Sequence, residues 1–402
     1  MRLLSAATCL WALLAGIGVV LVSSERQRKV EGADVGLDGS EVKSAPDVAD
    51  PSKVVFEYAE NGVYKGRMKG QLYHGMGEFR YKNSDVYNGS WELGFRSGVG
   101  SMTYGKRNQT YVGMWSYDKR EGFGIMTYSN GDVYEGDWKS NQRHGTGNLS
   151  YASGDFYSGE WVNDKRHGKG LLRLLNGDEY SGEFQFNRFN GKGTMKYANG
   201  AVYEGEFRSN NREGKGVFRS GDFTYDGEWK ANLYHGEGRA QTKGSRDGYS
   251  GGWRQGKMHG RGIYTYDNGD TYEGEWDSGE KHGHGRFVKA NGEEYSGDWK
   301  ANKKNGKGIA HLSNNCKYEG EWKEDMYHGV GSFVCRSGLS YEGEWRENKK
   351  QGKGRARLES GAMYEGDWED DKYVGGYAYE GEWKDRSHFA DEEVVTGGGI
   401  YM

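Results

Sequence analysis

The sequence predicts an all-β protein: an elongated, single-layer antiparallel ribbon of about 14–15 stacked β-hairpins, preceded by an N-terminal hydrophobic helix. Three observations predict it. A short string, Tyr-x-Gly-x-Trp or Phe, returns every 22 to 24 residues from Tyr64 to Tyr364. Glycine supplies 69 of 402 residues and proline only 2. Aromatic residues reach 14% although hydrophobic residues total 34%, with a mean hydropathy of −0.98. A chain this long ordinarily divides into domains with compact cores, and this composition is too polar and too glycine-rich to build them. The 13 Trp and 30 Tyr exclude a disordered chain. Glycine without a three-residue period excludes collagen. A net charge of −4 argues against a dedicated nucleic-acid binder.

The repeat comes first, because self-similarity decides the architecture. Full copies begin at Tyr87, Tyr111, Tyr134, Tyr157 and onward to Tyr364; a degenerate copy starts at Tyr64 and a late one at Tyr379. Eleven residues after each of the first fourteen tyrosines stands a glycine, and two further on, in thirteen of the fourteen, another.

Within a unit such as Tyr134-Glu135-Gly136-Asp137-Trp138, aromatic and glycine positions alternate with acids. That is the period-2 signature of a strand with two unlike faces. A polar segment follows (139–143), then His144-Gly145-Thr146-Gly147 and a second short strand. Asn-Gly pairs such as Asn130-Gly131 and Asn268-Gly269 close many units; they predict tight turns in which both residues take positive φ. The motif glycines are expected to let Trp rings lie flat on backbone, so that rings pile up in place of a core. The residues assigned to this stack include Tyr134, Trp138, Gly145, Gly147, Tyr272, Trp276, Gly283 and Gly285. About 28 strands at about 4.8 Å each give a ribbon on the order of 130 Å before twist.

The strings YEGDWKSNQRHGTG from Tyr134, YEGEWDSGEKHGHG from Tyr272 and YEGEWKEDMYHGVG from Tyr318 resemble the MORN (membrane occupation and recognition nexus) repeat. The resemblance spans residues 56–384. It implies stacked hairpins that organise contacts at membranes, often with self-association through terminal repeats. Departures are Met68, Phe184 and Phe207 at Trp positions, where looser stacking is expected, and Tyr377 at the last second-glycine position.

The ends read differently. Residues 1–24 hold an apolar run, Leu3–Val22, that is either a signal anchor or a cleaved signal peptide. About 20 apolar residues suffice to span a bilayer, and the bases Arg26, Arg28 and Lys29 after the run favour an anchor with cytosolic repeats. A secreted or lumenal chain is the alternative. Residues 25–55 read as a flexible acidic linker carrying Pro46 and Pro51, and 385–402 as a frayed tail. Cys316 and Cys335 are the cysteines of the repeat region; they are able to pair in a secreted chain, and two unrelated thiols is the preferred reading. Asn-x-Ser/Thr tripeptides at Asn88, Asn108 and Asn148 are at the frequency chance supplies.

The candidates for chemistry all recur on the repeat period, which an active site does not do. His74, His144, His167, His235, His259, His282 and His328 precede the first motif glycine and read as solvated loop residues; no metal site is expected. Acid pairs such as Glu135/Asp137 read as a solvated strand face. The Gly-x-Gly strings lack a phosphate-loop lysine and a following helix. Bases cluster in the loops at Lys119, Arg120, Lys165, Arg166, Lys303, Lys304, Lys349 and Lys350, a candidate edge for anionic phospholipid. The expectation is a non-enzymatic, cofactor-free, membrane-tethered scaffold for protein partners, with open sheet edges that favour a homodimer. A peripheral phospholipid-binding module and a secreted structural repeat protein are the alternatives.

Overall fold

The computed structural model describes residues 54–379. These form one antiparallel sheet of 29 strands, numbered β1 to β29 in chain order, in which each strand pairs with the next. The one helical element among the described residues is a 3-10 turn at Gly105–Arg107. The sheet starts at β1 (Val55–Ala59), one strand ahead of the first repeat, and ends at β29 (Lys372–Tyr379). The expected N-terminal helix, the tail, the linker up to residue 53 and the late copy beyond Tyr379 lie outside the described residues, while Val55, assigned to the linker, already opens β1.

One repeat explains the rest. β8 (Val133–Lys139) and β9 (Gln142–Ser150) form a hairpin, and β10 (Phe156–Val162) begins the next. Gly136 pairs with Gly147, and Gly147 with Gly159. The same register recurs throughout, so one glycine per strand lines up as a trench running across the sheet from Gly66 to Gly376. At its end Gly376, not Tyr377, fills the row, because the final hairpin slips its register.

Tyrosine, not tryptophan, lies in this trench. A Cβ on Gly147 would come within 2.6 Å of Cζ and Cε2 of Tyr134, and Gly285 stands in the same relation to Tyr272. The Trp rings stand on edge instead: Tyr134 meets Trp138 at 5.2 Å and 89°, and Trp161 of the next repeat at 5.3 Å and 85°. Tyr272 repeats the pattern with Trp276 and Trp299. Edge contact is the arrangement the ring quadrupole favours. Each described Trp then donates its indole N–H to a glycine carbonyl of the preceding repeat, as Trp138 to Gly124 at 3.1 Å and Trp276 to Gly262 at 3.3 Å. Phe184 and Phe207 keep the edge contact at 5.1 Å and stay buried, so those units pack as closely and lose only that hydrogen bond.

A one-layer sheet has no second layer to cover its rings. The residue nine after each tyrosine does so. Where it is aromatic it stacks face to face, as Phe189 on Tyr180 at 3.8 Å and Tyr327 on Tyr318 at 3.8 Å, except in the last unit, where Tyr373 meets Tyr364 on edge. Where it is basic it lies over the aromatic rings, as Arg143 over Tyr134 at 5.6 Å and over Trp161 at 4.4 Å. Sandwiched between trench and cover, Tyr134 and Tyr272 are 0% exposed.

The turns differ from expectation. The tight two-residue turns with positive φ at both centres join the strands within a repeat, as Ser140 (48°) and Asn141 (69°). Their handedness matches strand twist. The Asn-Gly turns between repeats are longer: Gly131 N–H bonds Tyr128 O, Tyr128 N–H bonds Asp132 O, and only Gly131 has positive φ. Asn130 keeps a negative φ and accepts from Asp132 N–H through Oδ1.

Candidate functional site

The first motif glycine opens a bulge rather than a packing gap. Gly145 and Gly283 are left-handed (59° and 54°). In the repeat from Tyr157, pairing jumps from Gly159–Gly170 to Glu160–His167, which strands Gly168 and Lys169 on that side. The stranded groups find partners. Glu160 Oε1 accepts from Lys169 N–H at 2.8 Å, and Tyr157 Oη donates to Glu160 O at 2.9 Å. Asp137 plays the part of Glu160 for Thr146. At these positions, and at Glu183, Glu206, Asp298 and Glu344, the acid before the Trp or Phe therefore closes a bulge, and the acidic face is not merely solvated. Burial without a charge partner pushes the Tyr64 hydroxyl up to about 12, and the other core tyrosines are raised further by the same cause.

The histidines sit in these bulges. His74, His144 and His167 are half-buried with Nδ1 unpartnered, while His259 and His284 approach Asp277 and Asp298 at 3.3 Å. Among the described residues no group of three His, Cys, Asp or Glu side chains is placed to hold a metal ion.

The loop bases divide by position. Arg120, Arg166, Lys304 and Lys350 are the ninth-residue covers, lying over Trp138 (4.3 Å), Phe184 (5.6 Å), Trp322 (4.7 Å) and Trp368 (5.3 Å). Burial lowers the Lys304 and Lys350 ammonium pKa values. Lys119, Lys165, Lys303 and Lys349 are exposed, the last two beside Glu324 at 3.5 Å and Asp370 at 3.3 Å. Half of the candidate lipid edge is thus committed to the aromatic layer.

Both edges of the sheet are laced between repeats. At the tight turns, Asp164 N–H bonds Arg143 O and its Oδ1 accepts from Arg143 N–H at 3.0 Å. At the opposite edge, Asp132 Oδ1 accepts from Ala152 N–H at 2.9 Å. Cys316 occupies the place of that Asp in β24 (Cys316–Lys323), and Cys335 faces it directly from β25 (Met326–Cys335). The two are joined in a disulfide, contrary to the preferred sequence reading of unrelated thiols. Opposed positions on paired strands supply the proximity that linear spacing hid.

The face away from the rings carries Glu, Asp, Lys, Arg and Ser over most of its length, with single apolar residues such as Leu171, Val217, Ile263, Ile309 and Val330. Between β3 (Leu72–Tyr81) and β7 (Lys119–Thr127) apolar residues pair with one another, Val99 with Met114 and Val112 with Ile125, beside Asn88, Ser90 and Ser101. Leu72, Met76, Phe95 and Met114 nearby are each over 40% exposed. Sequence reasoning missed this stretch because the repeat motif drew attention to the other face.

The MORN repeat pattern matches fourteen consecutive segments from residue 64 to residue 375, among them 134–156, 272–294 and 318–340. The chain belongs to the MORN repeat family. No curated relative matches this MORN protein. Among solved structures it is similar to the TCP domain of SAS-4 (dCPAP) of Drosophila melanogaster, in complex with a proline-rich motif of Ana2, at 14% identity. That match covers 42% of this chain and 84% of the other at a TM-score of 0.25. The Danio rerio CPAP TCP10 domain with a STIL peptide matches at 9% identity, 60% and 97% coverage and a TM-score of 0.25. A streptogramin B lyase matches at 12% identity, 74% and 92% coverage and a TM-score of 0.11. These scores carry no argument about what the MORN repeats here bind.

Proposed function

We propose that this MORN protein is a non-enzymatic scaffold, held at a membrane by Leu3–Val22, whose sheet presents its outward face to protein partners. The observation that carries the reading is the apolar stretch between β3 and β7. Folding does not require it, because the rings are buried on the other face. The occupant is a protein segment with apolar anchors and neighbouring bases, since Glu78, Glu92 and Glu135 border the stretch. The periodic candidates support the same reading: acids, glycines and second loop bases each have a structural partner, and the clefts, such as the one lined by Tyr128, Arg143, Leu149 and Trp161, lie open to solvent.

Proximity labelling of the full chain in its own cells, parent against Val99→Lys/Met114→Glu, whose opposite charges face each other across the strands, tests this. The variant is expected to melt like the parent and to lose a defined subset of labelled neighbours. An unchanged set of neighbours overturns the reading. The phospholipid alternative rests on Lys119, Lys165, Lys303 and Lys349 alone, and flotation with anionic vesicles that is indifferent to salt removes it. A second copy adds most readily at β1, which among the described residues pairs on one side only and exposes Phe56 and Tyr58; a monomer in light scattering at tens of micromolar excludes that.

A further inference from the structure

We infer that Asn108 is an N-glycosylation site and that the repeats lie in an oxidising, non-cytosolic compartment. Two independent observations lead there. The first is the Cys316–Cys335 disulfide, since such bonds form and persist outside the reducing cytosol. The second is what the asparagines do. Most are committed: Asn141, Asn187, Asn210 and Asn348 each accept, through Oδ1, from a backbone N–H of the preceding repeat. Asn130, Asn176 and Asn268 each accept within their own turn. Asn88, Asn108 and Asn148, which stand two residues before Ser or Thr, are all exposed and form no side-chain hydrogen bond among the described residues. The acceptor tripeptide is uninformative in the sequence and gains weight where its carboxamide stands exposed and unbonded, a state shared by Asn61, Asn163 and Asn315, which lack the tripeptide.

The geometry selects Asn108 among the three. Asn88 and Asn148 sit inside strands, paired on both sides: Asn88 with Glu78 and Ser101, Asn148 with Glu135 and Ser158. Asn108 lies between β5 (Phe95–Tyr104) and β6 (Gln109–Ser116), after the 3-10 turn, at φ 48° and ψ 51°. That turn buries none of its residues and is held at its base by Gly105 N–H on Asp85 Oδ1 at 3.0 Å. The Asn108 side chain therefore stands on an anchored loop at the sheet edge, with Thr110 two residues on supplying the hydroxyl. A glycan there leaves both faces of the sheet open.

The donor is an oligosaccharide activated on a polyprenyl diphosphate. Asn108 Nδ2 forms a bond to the anomeric carbon, the carbon–oxygen bond to phosphate breaks, and the diphosphate leaves with its electron pair. One amide proton passes to a base of the transferase. No oxidant is involved in this step. The compartment inference opposes the flanking-charge expectation of cytosolic repeats, and that expectation rests on a small asymmetry, Arg26, Arg28 and Lys29 against Arg2 and the amino terminus.

The test uses the full chain isolated from its own cells. Peptide N-glycosidase F in ¹⁸O-water should increase gel mobility and convert Asn108 to ¹⁸O-labelled Asp. Asn108→Gln and Thr110→Ala should each remove one glycan step; Thr110→Ala guards against strain from Gln at a left-handed position. Cys316 and Cys335 should resist alkylation until a reductant is added. An unmodified Asn108, modification confined to Asn88 or Asn148, or alkylation without reductant overturns the inference. The scaffold reading, tested by its neighbours, stands or falls separately.

Discussion

Replacing Gly147 by Ala tests the trench directly. The added methyl would sit 2.6 Å from Cζ and Cε2 of Tyr134 and against its hydroxyl. The ring has nowhere to go: it is flanked on edge by Trp138 and Trp161 and covered by Arg143. Overpacking of this kind costs about 1–3 kcal/mol. Displacing the ring also endangers the Tyr134 hydroxyl bond to Asp137 O (2.9 Å), about 1 kcal/mol more. Against these, Ala restricts the unfolded chain and returns about 0.4–1 kcal/mol. The net expectation is a loss of about 1–3.5 kcal/mol.

Because each repeat touches only its neighbours, the loss should be local. Hydrogen exchange by mass spectrometry should show weakened protection in the hairpins built on Tyr134 and Tyr157 and unchanged protection beyond Tyr225. Gly375→Ala is the control, as its Cβ would meet nothing within 4 Å. Tyr134→Leu should shrink the cost of the Gly147 substitution in a double-mutant cycle. A Gly147→Ala protein as stable as the parent, or a cost undiminished by Tyr134→Leu, refutes the trench account.

Trp161→Phe should retain the edge contacts and lose the indole bond to Gly147 O (3.0 Å), costing about 1 kcal/mol in denaturant unfolding; a cost near that of Trp→Ala would show that the Phe184 and Phe207 units are poor guides. Cys316→Ser/Cys335→Ser should lower stability of the C-terminal hairpins by about 3 kcal/mol, the size for a loop closed over 19 residues, with reductant mimicking it in the parent. Alkali should unfold the sheet. The core tyrosines are raised above their ordinary 10.0 by burial, so their contribution is complete below pH 10 and is lost as pH climbs toward the folded values. Tyrosinate absorbance at 295 nm should therefore rise together with loss of the β-sheet signal, and independent titration of the two would count against burial. Asp164→Ala, which removes Oδ1 from Arg143 N–H and Nε–H, should cost about 1–2 kcal/mol, measurable as a lower denaturation midpoint.

The period, the hairpin and the antiparallel order were legible from Tyr64 to Tyr364 because spacing alone encodes them. Which ring occupies the trench was not, since Tyr and Trp share a face and only the register across strands sets Tyr134 over Gly136 and Gly147. The Asn-Gly turns misled because that dipeptide suits both a two-residue turn and the end of a longer one; the length of the connection decides, 128–132 between β7 and β8 against Ser140 and Asn141 alone between β8 and β9. The cover role of Arg120 and Lys304 was hidden behind the bland look of a periodic loop base. A signal did exist. The position nine after each tyrosine holds Arg or Lys in some units and Tyr73, Phe189, Tyr234, Met258, Tyr327 or Tyr373 in others. A site that alternates between long cations and aromatics is one that packs against rings, through stem or plane. The apolar outward stretch was equally readable in Met114 and Val112, where other units place acids or serine.

The division of labour within each hairpin bears on specificity. Tyr, Gly, Trp and the ninth residue hold the inner face; Asp or Asn at the turns holds the edges; the acid before Trp holds the bulge. What remains is the outward residue between Tyr and Gly, and it varies freely along the chain: Lys65, Asn88, Val112, Glu135, Ser158. Contacts there are confined to surface ion pairs such as Arg219–Glu204, Lys317–Glu319 and Arg355–Glu365, each worth about 0–1 kcal/mol, so successive repeats can diverge on that face at little cost in stability. A partner that reads several hairpins at once then meets a pattern rather than a period, and β3 to β7 is where the pattern turns apolar. Beyond those strands the face sets acids opposite bases, as Glu183 opposite Lys169 and Glu321 opposite Lys307. With neither charge in excess there, the paired apolar residues are the feature by which one place on this face differs from the rest.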